Sequence, residues 1–148
     1  MRILFIGDLV GRSGRSSVME RLPGLMQDWR LDFVVINGEN AAGGFGITEA
    51  IYRDLIEVGA DAITLGNHAF RRSEIGPYLE ASERVIRPAN ASLHAPGRGL
   101  VVVPTANGAR LAVINVLGSL FLHPATSMFE LIDDLVEAAL RETSPWCV

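Results

Sequence analysis

The sequence predicts an α/β fold: a mainly parallel sheet with flanking helices, extended by an antiparallel hairpin. Continuous apolar runs recur at Ile3-Leu4-Phe5-Ile6, Phe33-Val34-Val35-Ile36 and Ala62-Ile63-Thr64-Leu65. Such runs mark strands buried on both faces, whereas half-buried strands alternate. The spacing between them is about that of a βαβ unit, roughly thirty residues. Stretches with helical periodicity fill the gaps, as parallel neighbours require.

Each element has its own signal. Ser13 is expected to cap a first helix reaching about Trp29, with Val18, Met19, Leu22, Leu25 and Met26 as its apolar face. Pro23 inside it predicts a kink or a break. After the second strand, Gly43-Gly44-Phe45-Gly46 reads as a flexible loop. Thr48 then caps a helix from Glu49 to about Val58, which Gly59 terminates. A shorter helix is expected from Glu74 to Ala81, and Val85-Ile86 as a short fourth strand. The segment from Arg87 to Gly99, rich in glycine and proline pairings, reads as loop. Leu100 to Val103 and Leu111 to Val116 flank Asn107-Gly108, a dipeptide favoured in tight hairpins. Ser127-x-x-Glu130 forms a capping box for a last helix through about Arg141. Trp146-Cys147-Val148 follows a turn signal and reads as the opening of another buried strand. The chain is therefore expected to be a single domain, 1–148, incomplete at its C-terminal end.

Bulk properties narrow the function. A chain of 148 residues can bury a substantial core. Its net charge of −4 supplies no basic excess to bind nucleic acid or an anionic membrane. A small phosphate-bearing substrate stays compatible, because bound divalent cations would override that charge locally. Cys147 is the only cysteine, so neither a disulfide framework nor a thiolate metal cluster is available within the chain. The chain enters a strand at once and contains no apolar run of membrane-spanning length, so a cytoplasmic protein is expected.

The chemistry concentrates where the first three strands end. Gly7-Asp8, Gly38-Glu39-Asn40 and Gly66-Asn67-His68 each follow an apolar run. Parallel strands deliver such clusters to one sheet edge, where open α/β sheets bind ligands. Asp8, Glu39, Asn40, Asn67 and His68 are all oxygen or nitrogen donors, a mixed set that manganese- and iron-type cations accept. Singly, each reads equally well as a cap, a polar turn or a surface histidine. Their repetition at equivalent strand ends favours half of a metal site. Gly43–Gly46 offers backbone N–H groups to an anion, although a plain connection is the commoner role of such a loop. Arg12, Arg71, Arg72 and Arg98 are weaker phosphate candidates, and His94 and His123 show no ligand spacing.

With these residues in view, the sequence resembles the YmdB-type branch of the calcineurin-like metallophosphoesterases. The likeness rests on Met1–Asp8 with Val10-Gly11-Arg12, on Asn37–Thr48 and on Thr64–His68, with Arg87-Pro-Ala-Asn90, Pro96–Gly99 and Val113–Gly118 as further landmarks. It implies a metallophosphoesterase-like layered sheet and a phosphodiesterase acting on cyclic nucleotides or similar small phosphodiesters. It also implies two divalent metal ions, iron, manganese or similar. Asp8 would bind the first metal, Glu39 would bridge both, Asn40 would join the first and Asn67 would bind the second. His68 would be the proton donor near the scissile phosphate. Members of that branch are longer and take their remaining ligands from later histidine motifs absent here. This chain alone is therefore expected to bind metal weakly and to be catalytically crippled. The competing expectation is a non-catalytic regulatory or interaction module that keeps the fold without those histidines and associates within a homo-oligomer. A hydrolase of non-phosphate substrates is a third.

Overall fold

The structure, a computed structural model, describes residues 1–105 and 107–142. The expected strand at Trp146-Cys147-Val148 lies outside the described residues. Four parallel strands, β1 (Ile3–Ile6), β2 (Phe33–Asn37), β3 (Ala62–Thr64) and β4 (Val85–Ile86), lie in the order β1-β2-β3-β4. Ile3 pairs with Phe33, Val35 with Ala62, and Ile63 with Val85. Helices α1 (Gly11–Trp29), α2 (Glu49–Glu57) and α3 (Gly76–Ala81) make the crossovers. A separate antiparallel pair, β5 (Leu100–Pro104) and β6 (Arg110–Ile114), precedes helix α4 (Met128–Glu142).

Alternate strand residues explain the continuous apolar runs. Val34, Ile36, Ile63 and Val85 point to one face and pack with Val18 and Leu22 of α1, Tyr52 and Leu55 of α2, and Leu79 of α3. Phe33, Val35, Ala62 and Ile86 point to the other face and pack with Val101, Val103 and Leu111 of the hairpin. Each large side chain so buried contributes about 1.5–3 kcal/mol of transfer free energy. The hairpin does not reach across β1, whose Ile3 is 42% and Phe5 62% exposed. No helix among the described residues is long and apolar enough to cross a membrane.

Several local expectations need correction. Helix α1 begins at Gly11, not Ser13, and no side chain caps it. Its start is anchored from the neighbouring loop instead: Leu9 N–H donates to the Asn37 carbonyl and Gly11 N–H to that of Asn40, both at 3.0 Å. The helix runs unbroken past Pro23, and Met19 turns outward rather than joining the apolar face. The predicted 74–81 helix is a 3-10 turn at Ser73–Ile75 followed by α3. Pro77, lacking an N–H, cannot continue a regular ladder there, which accounts for the change of pitch. Thr48 does cap α2, accepting from Ile51 N–H at 3.3 Å. Ser127 caps α4, accepting from Phe129 N–H at 3.4 Å. The hairpin is closed not by a two-residue turn but by Thr105 and Ala109, with Gly108 at φ 84°. A left-handed residue at that place belongs to the next longer hairpin class.

Candidate functional site

The sheet brings the first three strand ends to one edge. Asp8 lies two residues beyond β1, Glu39 and Asn40 just beyond β2, and Asn67 and His68 just beyond β3. Asp8 takes φ 42°, a left-handed conformation that costs a non-glycine residue on the order of 1 kcal/mol. Its Oδ1 accepts a hydrogen bond from Asn40 Nδ2 at 2.6 Å. Asn40 Oδ1 lies 2.7 Å from His68 Nδ1. An ionised carboxylate only accepts, so Asp8 orients the amide, and the amide oxygen makes Nδ1 the donor of the ring. The Asp8–Asn40–His68 chain thereby sets the imidazole tautomer. The Phe45 ring stands edge-on to His68, with centroids 5.0 Å apart.

Glu39 behaves differently. Its Oε2 is buried and has no hydrogen-bond partner. A carboxylate oxygen in that state is costly unless something neutralises it. Gly66 makes the arrangement sterically feasible, since a Cβ there would fall 1.9 Å from Oε2. A hard divalent cation is a group that would satisfy this oxygen. Among the described residues no three His, Cys, Asp or Glu side chains group as a metal-binding set. A cation here would therefore need the amides of Asn40 and Asn67 as donors beside the two carboxylates. Asn67 is exposed at the end of β3, next to Gly66.

The glycine loop after β2 is tied down. Gly44 N–H donates to the Asn40 carbonyl and Gly46 N–H to that of Glu39. These two groups are spent inside the loop, so they offer no cradle to an anion. Arg72 donates to the carbonyls of Ala42, at 2.9 Å, and Phe45, and Arg15 donates to that of Ala41. Sequence reasoning missed both clamps and Phe45 as well. An aromatic residue inside a glycine run was the available signal, because a flexible connection has no use for one.

Beside Asn67 the irregular segments form a wall, and the 87–99 loop is part of it. Asn90, 1% exposed, donates from Nδ2 to the carbonyls of Leu117 (2.7 Å) and Thr126 (3.1 Å) and accepts from Leu117 N–H (2.8 Å). Arg87 donates to the carbonyls of Pro88, Ala89 and Ala95. Burial lowers the Arg87 pKa from its ordinary value, with Glu80 opposing. Asn115 Nδ2 donates to the carbonyls of Leu65 and Ile86, tying this wall to the strand ends. His94 and His123 lie outside the donor chain, His123 on the rim of a cavity of about 420 Å³ whose floor is Gly66 and Asn67.

The family model for YmdB-like proteins matches residues 4–148. The chain belongs to the YmdB-like family. It is 48% identical over 143 residues to the 2',3'-cyclic-nucleotide 2'-phosphodiesterase of Bacillus subtilis (strain 168), a match covering 97% of this chain and 54% of that protein. The crystal structure of a hypothetical protein from Thermus thermophilus superposes with a TM-score of 0.84 at 39% identity, over 93% of this chain and 53% of that one. A phosphatase from Mycoplasma pneumoniae superposes with a TM-score of 0.80 at 28% identity, over 92% and 50% respectively. This YmdB-like chain thus spans about half the length of the relatives it matches.

Proposed function

We propose that the chain carries the strand-end half of a metal-dependent phosphodiesterase that hydrolyses cyclic nucleotides or similar small phosphodiesters. The observation that carries this is the buried, unpartnered Oε2 of Glu39 beside the Asp8–Asn40–His68 chain. The 48% identity to a cyclic-nucleotide phosphodiesterase supports the substrate class.

In this reading Asp8, Glu39, Asn40 and Asn67 would hold two divalent cations of the manganese or iron type. When bound, the cations polarise the phosphoryl oxygen and lower the charge barrier to attack. Asn40 serves twice: one lone pair of Oδ1 receives the His68 Nδ1–H, and the other is left for a cation. Held through Nδ1, His68 presents Nε2 to the substrate; as the imidazolium it gives the Nε2 proton to the departing oxygen and keeps its Nδ1–H on Asn40. Phe45 packs on the ring and limits its rotation. The single cysteine and the acidic balance suit a cytoplasmic setting.

The test is manganese uptake by the purified chain, followed by equilibrium dialysis, together with hydrolysis of 2',3'-cyclic AMP. Glu39→Gln removes the charge and keeps the shape. It is expected to weaken manganese binding by about a hundredfold and to remove any manganese-dependent hydrolysis. Equal uptake by both proteins would overturn the reading.

A further inference from the structure

The irregular wall segments have no part in the reaction described above, yet Asn90, Arg87 and Asn115 tie them to one another and to the strand ends. They enclose the cavity of about 420 Å³ that has Gly66 and Asn67 as its floor. Gly66 is the residue against which the Glu39 carboxylate lies, so the cavity adjoins the donor cluster through Gly66 and Asn67. Its volume is within the range of small-molecule pockets, roughly 300–1,000 Å³.

The lining chemistry is selective. Phe70, Leu117, Leu122 and Pro124 supply apolar surface, and Ser92 and His123 supply polar edges. No Lys, Arg, Asp or Glu lines it, so nothing there would neutralise a second phosphate. Phe70 keeps 42% of its surface exposed, an aromatic side chain left available for contact. The enclosure is preformed: Asn90 fixes Leu117 on one side, and its carbonyl accepts from the N–H groups of Ala125 and Thr126 on the other. Arg87 holds Pro88 and Ala95.

We infer that this cavity is the nucleobase pocket of the phosphodiester substrate, an inference that rests on the phosphodiesterase reading. With the phosphorus over the strand-end donors, the neutral aromatic end of a nucleotide lies over Asn67 and against Phe70. Base–aromatic contact tolerates different bases, whereas Ser92 and His123 give hydrogen-bonding edges on which bases can differ. The landmarks around Arg87–Asn90 and Asn115–Gly118 thereby acquire a role: they hold the pocket's walls rather than its chemistry.

The probe is adenosine, which lacks phosphate and so reports the pocket without the metal site. Binding is followed by saturation-transfer NMR and titration calorimetry on the whole chain, with ribose 5-phosphate as the control that lacks a base. Phe70→Ala is expected to weaken adenosine binding about tenfold. Ala125→Trp, at an exposed position on the rim, fills the cavity and is expected to do the same without disturbing the core. Neither variant should change manganese uptake, and Glu39→Gln should leave adenosine binding unchanged. No adenosine binding in a chain that takes up manganese, or binding indifferent to both pocket variants, overturns the pocket and leaves the phosphodiesterase reading standing. Adenosine binding that both variants weaken, with manganese uptake indifferent to Glu39→Gln, supports the pocket and overturns that reading.

Discussion

Two polar side chains at the same end of the sheet, Asn90 and Glu39, are treated in opposite ways. Asn90 is almost wholly buried, and its amide makes three hydrogen bonds to Leu117 and Thr126. Glu39 places a charged oxygen in a buried position and gives it nothing. A buried polar group that is satisfied stabilises the fold it sits in, and one left unsatisfied costs stability. The difference separates architecture from proposed function: Asn90 completes the protein, whereas in the proposed reading Glu39 would be completed by a bound cation. Of the two buried side-chain atoms left without a hydrogen bond among the described residues, Glu39 Oε2 and Arg87 Nε, only the carboxylate oxygen suits a cation, so metal-type chemistry is sought there.

The largest expected effect tests the first half of that contrast. Asn90→Ala would strand a Leu117 N–H and the carbonyls of Leu117 and Thr126, partly away from water. A loss of about 3 kcal/mol is expected, equivalent to roughly 10 °C in Tm. Urea unfolding of both proteins measures it. Glu39→Gln should give the opposite signature, with manganese binding weakened and the urea midpoint unchanged or raised. An unchanged midpoint in Asn90→Ala would erase the distinction.

How much of this was legible in the sequence follows the same division. Strands β1 to β3 were readable because burial on both faces turns a parallel strand into an uninterrupted apolar run. The placement of Asp8, Glu39, Asn40, Asn67 and His68 at one sheet edge was readable because each follows closely on one of those runs. The wall was not. Asn90 bonds backbone atoms 27 and 36 residues away, and Arg87 bonds carbonyls of its own loop. Backbone partners have no letter in the sequence, so a nailed-down loop and a floppy one look alike there. The start of α1 was misplaced for the same reason. Its first N–H, that of Gly11, is met by the carbonyl of Asn40, not by the side chain of Ser13.

A smaller effect approaches Glu39 from the backbone. Gly66→Ala would put a methyl group 1.9 Å from Oε2 if nothing moved, so the carboxylate has to swing away. Manganese binding is expected to weaken by about tenfold while the urea midpoint falls by less than about 1 kcal/mol equivalent. This variant sharpens the contrast because the carboxylate remains and only its place is lost. Undiminished manganese uptake in Gly66→Ala would mean that the position of Glu39 does not matter, and its unpartnered oxygen would need another explanation.

The smallest effect concerns a carboxylate between the two extremes. Asp61 is half-buried and accepts one hydrogen bond, from Val34 N–H at 2.8 Å. Burial raises its pKa above the ordinary 3.8, against the pull of that hydrogen bond and of Arg84. A carboxyl that keeps its proton longer in the folded state than in the unfolded one favours folding most at low pH. That contribution is lost as the pH rises from the unfolded value through the folded one. Asp61→Asn keeps an acceptor for Val34 and cannot ionise, so it should not show this loss. Relative to wild type, the variant is expected to gain stability as the pH is raised through and above the carboxylate range, measured by urea unfolding at a series of pH values. A gap of the opposite slope would show that the hydrogen bond to Val34 outweighs burial. Asp61 would then belong with Asn90, among the groups the fold has satisfied.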